Sequence, residues 1–158
     1  MTRPWRRIQD RARLIYASGV SPHAVSSSGS YPGYPPDCPP VTTPLPNSYF
    51  RIVRRKERVK RKDFFSPYEL GLREDMEITS PCYRRSISIH STISDSRRIM
   101  DLYPGLGRFI AIVKLQGTHG VVQHTPSNEG GQSHHDWWVP ASVDPCGFWV
   151  PPILGLGE

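Results

Sequence analysis

The segment Arg108-Phe-Ile-Ala-Ile-Val-Lys-Leu115 decides the expected fold, because it carries the strongest strand signal in the chain. Side chains alternate between the two faces of a strand. Here both faces are apolar: Phe109, Ala111, Val113 and Leu115 occupy one, and Ile110 and Ile112 occupy the other. Apolar residues on both faces are typical of a strand inside a sheet. The segment therefore predicts a central strand.

Further strands are predicted on either side of this segment. Tyr49-Phe-Arg-Ile-Val53 alternates so that Phe50 and Ile52 share one face and Arg51 lies on the other. Ser86-Ile-Ser-Ile-His90 alternates strictly, with its two isoleucines inward and its serines and histidine outward. Shorter strand candidates, separated by loops that contain Gly and Pro, are Val121–His124, Trp137–Val139 and Phe148–Val150.

A helix is predicted between the second strand and the central strand. Ser94 is the expected N-cap, and Pro104-Gly105 ends the helix after Tyr103. The inward stripe follows the i, i+3, i+4, i+7 spacing of one helical face: Ser96, Ile99, Met100 and Tyr103. Because strands outnumber helices, the expected fold class is α+β, a small mixed and mainly antiparallel sheet with one or two helices.

The composition divides the chain into an arm, a domain and a tail. Residues 1–46 form a basic arm rich in Pro, Ser and Gly, with eight prolines between Ser18 and Pro46 that forbid helix. We expect this arm to be disordered, with an extended, polyproline-like linker and a short helical pattern over Thr2–Ala17. Residues 47–153 make a single α+β domain, and residues 154–158 a flexible tail.

The net charge of +6 is concentrated in two segments. Met1–Arg13 carries +4, and Arg51–Lys62 carries +7, with eight basic residues against Glu57. The remainder of the chain has a net charge of −5. Whole-chain charge is therefore a poor guide to partners, and the Arg51–Lys62 segment becomes the candidate for contact with nucleic acid or an acidic partner.

The cysteines and the apolar runs predict a cytoplasmic protein. Cys38, Cys82 and Cys146 are odd in number and lack paired spacing, which favours free thiols in a reducing compartment. No apolar run approaches the roughly 18–20 residues that span a bilayer, so no membrane contact is expected.

The candidate site residues lie on the early strands and in the segment His134-His-Asp-Trp-Trp138. An arginine fixed by a sheet, Arg51, holds phosphate or carboxylate through its two-pronged donor, and serine hydroxyls orient a ribose or an amide. The assigned catalytic residues are Arg51, Ser88, His135 and Asp136. The assigned cofactor-binding residues are Arg51, Ser86, Ser88, His90 and Trp137, the indole being a stacking surface for a planar ring. The alternative is an ordinary polar sheet face over buried tryptophans.

The histidines do not predict a metal site. His119, His124, His134 and His135 match no known ligand-pair spacing, and neighbouring residues on a strand point to opposite faces. The pattern favours general acid–base catalysis by one of them over metal binding, because an imidazole titrates near neutral pH.

The order of these segments over Tyr49–Ile153 resembles a family of small bacterial proteins with no established activity. More distantly it resembles the ADP-ribosyltransferase fold of the arginine–serine–glutamate type, in which an early strand ends in an aromatic–Arg pair and a Ser-x-Ser strand runs into a helix. The resemblance implies that Arg51 holds NAD and that Ser86 or Ser88 supports the nicotinamide ribose. The family's catalytic glutamate has no counterpart: Glu129 lies in a glycine-rich loop, and Asp136 is a shorter carboxylate in a different motif.

Two function hypotheses follow. The first is an NAD-binding domain related to ADP-ribosyltransferases, which requires Arg51 and the serine hydroxyls to share a cleft. The alternative is a non-enzymatic binding module that contacts nucleic acid or an acidic partner through Arg51–Lys62. A purely structural or interaction module is a third possibility.

Overall fold

A computed structural model describes residues 31–40, 47–72, 80–128 and 130–155 of the chain. The predicted helical pattern at Thr2–Ala17, residues 73–79, the carboxylate of Glu129 and the end of the predicted tail lie outside these residues.

Six strands form one antiparallel sheet in the order β4-β5-β2-β1-β3-β6. Their bounds are β1 Asn47–Val53, β2 Ile87–His90, β3 Phe109–Leu115, β4 Val121–His124, β5 His134–Trp138 and β6 Trp149–Gly155. The predicted α+β class is confirmed. The predicted central strand, β3, lies between β1 and β6, with Ile110 and Val113 fully buried on opposite faces.

Two helices and two short 3₁₀ turns complete the described structure. Helix α1 spans Pro81–Arg84, helix α2 spans Ile93–Leu102, and the turns span Arg61–Phe64 and Pro145–Phe148. The N-cap of α2 is Thr92 rather than the expected Ser94, whose hydroxyl donates to the Thr92 hydroxyl at 3.2 Å. The predicted inward stripe is confirmed at Ser96, Ile99 and Met100.

Each face of the sheet has its own core. The face that carries Tyr49, Ile87 and Trp137 is covered by irregular segments that include Phe64, and we call it the loop face. The opposite face carries Ile52 and Ile110, packs against Ile99 and Met100 of α2, and is called the helix face. Helix α2 thus covers only part of one side of the sheet.

Residues Tyr31–Pro40, here called the strap, pack on the domain instead of forming an extended linker. The strap turns back on itself through a bond from the Tyr31 N–H to the Cys38 carbonyl (3.2 Å), and the Tyr34 hydroxyl donates to the Val139 carbonyl (2.8 Å). Cys38 is fully buried and forms a disulfide with Cys82 of α1, with 5.4 Å between the two Cα atoms. A covalent link removes much of the entropy that a proline-rich segment otherwise retains.

The free-thiol prediction is therefore wrong for Cys38 and Cys82, and only Cys146 keeps its thiol. Sequence spacing could not reveal the pair, because 44 residues separate its members. The expectation of a reducing compartment rested on those free thiols and loses that support, since disulfides persist mainly in oxidising compartments. The cytoplasmic location, which also rested on the apolar runs, stays a prediction. Among the described residues, no helix is long and apolar enough to cross a membrane.

Reduction of the disulfide is expected to lower the free energy of unfolding by about 2–4 kcal/mol, because the unfolded chain regains the entropy of an open loop. Chemical denaturation with and without a dithiol reductant measures this difference. Cys146→Ala is the matched control and should leave stability unchanged. Thiol titration of the unreduced, unfolded protein should detect Cys146 alone, and three reactive thiols would contradict the pairing.

Candidate functional site

The pairing of the strands separates the predicted site residues onto two faces. Phe50 lies opposite His90, and Ser88 lies opposite Asp136. Because residues two apart share a face, Ser86, Ser88, His90 and Asp136 all belong to the helix face. Four of the predicted residues are therefore brought to one side of the sheet, as the alternation at Ser86–His90 suggested.

Arg51 lies on the other side. It follows Phe50 directly in β1, so its side chain points to the opposite face from Phe50, which is the loop face. Its Nε–H donates to the Asp63 carbonyl at 2.9 Å, and its Nη1 donates to the Ser88 carbonyl at 2.7 Å. The half-buried guanidinium thus links β1, β2 and the segment after β1. The shared cleft of Arg51 with the serine hydroxyls, which the NAD hypothesis requires, does not form.

His135 and Trp137 also belong to the loop face. Trp137 is fully buried, packs edge-on against Phe64 and donates its indole N–H to the His119 carbonyl at 3.0 Å. It therefore offers no surface for a nicotinamide ring. His135 is half-buried beside His124, with 4.7 Å between ring centroids, and its pKa is lowered mainly by burial. The structure does not bring these two residues together with Ser88.

On the helix face, Ser86 and Asp136 form a buried polar pair. Both are 1% exposed, and the Ser86 hydroxyl is hydrogen-bonded to the Asp136 carboxylate. The Tyr83 hydroxyl lies next to them and donates to the Gln123 amide oxygen at 2.8 Å. The Tyr83 pKa is raised, first by burial and then by the nearby Asp136. Buried polar groups that satisfy one another rigidify a core, and this pair serves that purpose.

His90 is the centre of a second buried network. Its Nε2 lies 3.1 Å from the Gly130 carbonyl, which can only accept, so Nε2 carries the proton. The Ser96 hydroxyl therefore donates to Nδ1 at 3.1 Å. A serine hydrogen-bonded to a histidine is the pairing used in nucleophilic catalysis, but Ser96 is 0% exposed and no substrate reaches it. Burial, reinforced by the neighbouring His134, lowers the pKa of His90 to about 4.

A different surface is accessible. Residues Arg54–Lys62, here called the basic loop, follow β1 and include the start of the first 3₁₀ turn. They expose seven cationic side chains: Arg54, Arg55, Lys56, Arg58, Lys60, Arg61 and Lys62. Glu57 is the single acidic residue among them. Arg51, which the sequence placed at the start of this segment, contributes to the anchoring of the loop rather than to its exposed charge.

The basic loop is held in a defined conformation by Asp63. This 7%-exposed carboxylate accepts the backbone N–H of Lys60 at 2.8 Å and that of Arg54 at 3.2 Å, so it ties the two ends of the loop together. In the middle of the loop, Val59 packs against the core of the loop face. A run of like charges ordinarily extends by self-repulsion, and these contacts oppose that tendency.

A groove of about 340 Å³ begins where the basic loop ends. Arg61 lines one side, and Pro32, Gly33 and Tyr34 of the strap line another. Tyr68 and Arg85 also line the groove, and their side chains are stacked, with the guanidinium 3.7 Å from the ring centroid. The groove lies on the same side of the sheet as Ile87 and Phe64, which is the loop face.

Sequence reasoning identified the basic segment but missed both its anchoring and the groove. For the anchoring, the available signal was Asp63 directly after the cationic run, because a carboxylate there is suited to cap nearby backbone N–H groups. Nothing local marked Tyr34, Tyr68 and Arg85 as neighbours, since they come from three separate segments. Among the described residues, no cluster of three or more His, Cys, Asp or Glu side chains is arranged to hold a metal ion.

No protein-family model matches this sequence, no curated protein is significantly similar to it, and no solved structure matches its fold. The resemblance to ADP-ribosyltransferases and to small bacterial proteins therefore stays a prediction.

Arg51→Ala is expected to lower the free energy of unfolding by about 1.5–3 kcal/mol, because two carbonyl acceptors lose a charged donor. A structural role also predicts that the loss is the same with and without millimolar NAD. Melting curves of wild type and Arg51→Ala, with and without NAD, test this. The control is Lys114→Ala, at an exposed position, whose free energy of unfolding should lie within about 0.5 kcal/mol of wild type. Stabilisation by NAD that disappears in Arg51→Ala would revive the cofactor hypothesis.

The buried His90 is expected to make the fold sensitive to mild acid. Its pKa of about 4 in the folded state lies below the value of about 6.5 for a free imidazole. The unfolded chain therefore binds the extra proton first, and stability falls as the pH drops from 6.5 towards 4, by roughly 3 kcal/mol in all. His90→Gln should remove most of this pH dependence. In an NMR titration of the folded protein, the His90 ring should still be neutral at pH values near 5. A titration midpoint of His90 above 6 would rule out this explanation of the acid sensitivity.

Proposed function

We propose that this protein is a nucleic-acid-binding module that contacts phosphates through the basic loop. The observation that supports this proposal is the display of seven exposed cations on one anchored loop, against a single acidic residue. Binding of this kind is electrostatic and independent of sequence. It needs no catalytic carboxylate and no contribution from the buried helix-face networks.

The charge of the loop is suited to several phosphates at once. Each phosphate that a cation neutralises releases counterions, and the affinity then depends steeply on salt, with a slope of about −0.9 per phosphate for duplex DNA and about −0.7 for single strands. Because the remainder of the domain is mildly acidic, the attraction within the described part of the chain is concentrated at the basic loop rather than spread over the surface.

The anchoring of the loop supports the same conclusion. Ordering a flexible cationic segment on binding has an entropic cost, and the bonds of Asp63 to the N–H groups of Arg54 and Lys60 remove part of that cost in advance. Arg61 of the loop also pairs with carboxylates, Glu69 at 3.4 Å and Asp144 at 3.2 Å. Exposed pairs of this type contribute little to stability, so little free energy is lost when a phosphate replaces a carboxylate as the partner of Arg61.

Neutralising two cations of the basic loop is expected to weaken binding and to flatten its salt dependence. For Arg55→Ala/Arg58→Ala, the slope of log affinity against log salt should become shallower by about 1.4–1.8, the contribution of two phosphate contacts. Fluorescence anisotropy of labelled single-stranded and duplex oligonucleotides, from about 50 to 200 mM salt, measures both quantities.

Lys114→Ala provides the control for this experiment. Lys114 is exposed and pairs with Ser48, at the opposite end of β3 from Phe109, which pairs with Val53 beside the loop. Its removal lowers the net charge without touching the basic loop, and the salt slope should stay unchanged. Undetectable binding at low salt, or equal slopes for the control and the loop variant, would refute the proposal.

A further inference from the structure

We infer that the groove beside the basic loop receives an unstacked base, so that the preferred ligand is a single strand rather than a duplex. This inference rests on the proposed function, since it assumes that phosphates are held on the basic loop. It adds a second type of contact, stacking, which the charge of the loop does not provide.

The first support is the flat cationic platform inside the groove. Tyr68 is 45% exposed, which is unusual for a large ring, and the Arg85 guanidinium lies over it at 3.7 Å from the ring centroid. The same guanidinium lies 5.6 Å from the ring centroid of Tyr34, whose hydroxyl is fixed to the Val139 carbonyl. Aromatic rings and guanidinium planes are the groups on which proteins stack splayed-out bases.

The second support is the size and position of the groove. Its volume of about 340 Å³ falls at the lower end of the range for small-ligand sites, roughly 300–1,000 Å³. Arg61 belongs both to the basic loop and to the groove wall. A strand whose phosphates follow the loop is therefore led to the groove entrance without a gap.

The third support is the chemistry of the walls. Arg61 and Arg85 outnumber Glu69, so the groove itself carries a net positive charge. The remaining lining is apolar or uncharged and includes the buried Phe64 and Ile87 and the partly buried Val143. A planar base with a charged backbone matches this combination of apolar and cationic walls. Bases within a duplex are paired and stacked on one another, and they cannot enter.

Tyr68→Ala separates this contact from the electrostatic one. Loss of one stacking partner should reduce single-strand affinity by about 5- to 100-fold, while the salt slope stays the same because no phosphate contact is removed. Duplex affinity should not change. Tyr68→Phe keeps the ring and should bind like wild type, and Leu102→Ala, on helix α2, is the control for loss of a comparably exposed apolar side chain (46% exposed).

An oligonucleotide with abasic positions makes the test specific to the base. Wild type should bind the abasic strand more weakly than the intact one, whereas Tyr68→Ala should bind both equally. Parallel measurements with single-stranded DNA and RNA show which sugar is preferred. If Tyr68→Ala changes neither strand type, or changes single strand and duplex alike, base insertion is wrong even if the loop variants behave as proposed. If wild type binds no nucleic acid at low salt, both proposals fail together.

Discussion

The pairing of Phe50 with His90 decides which side chains of this protein can share a surface. Because side chains alternate along a strand, the hydroxyls of Ser86 and Ser88 fall on the helix face together with His90 and Asp136. Arg51 falls on the loop face. Arg51 then satisfies its guanidinium with the carbonyls of Ser88 and Asp63. A shift of the register by one residue would bring Arg51 to the face of Ser86 and Ser88, but it would also turn the apolar residues of β1 away from their cores.

The same division gives the two faces different physical roles. On the helix face, the polar groups of Ser86, Asp136, His90 and Ser96 are buried and bonded to one another, so they specify the fold and are closed to substrate. On the loop face, cations are exposed and their backbone is held by Asp63. Accessible charge together with a fixed conformation is what a binding surface requires, and the loop face alone combines the two within the described part of the chain.

The boundaries of the strands illustrate where local reasoning stops. β4 was predicted with its observed bounds, Val121–His124, because loops that contain Gly and Pro flank the segment on both sides. β6 extends to Gly155, beyond the predicted end at Val150, through Pro151 and Pro152. Proline normally ends a strand, but β6 lies at the sheet edge, and its pairing with β3 shifts between Val150 and Ile153, so neither proline occupies a paired position. Position in the sheet, which no local pattern contains, therefore set that boundary.

The sequence by itself determined the strand phases, the inward stripe of α2, the position of β3 inside the sheet and the basic segment, because each depends on the spacing of neighbouring residues along one backbone. Only the tertiary structure decided which strands pair, that Cys38 reaches Cys82, and that the strap, Tyr68 and Arg85 enclose a groove. These features join residues that are distant in the chain. They are fixed by the packing of the whole domain, which a local periodicity cannot encode.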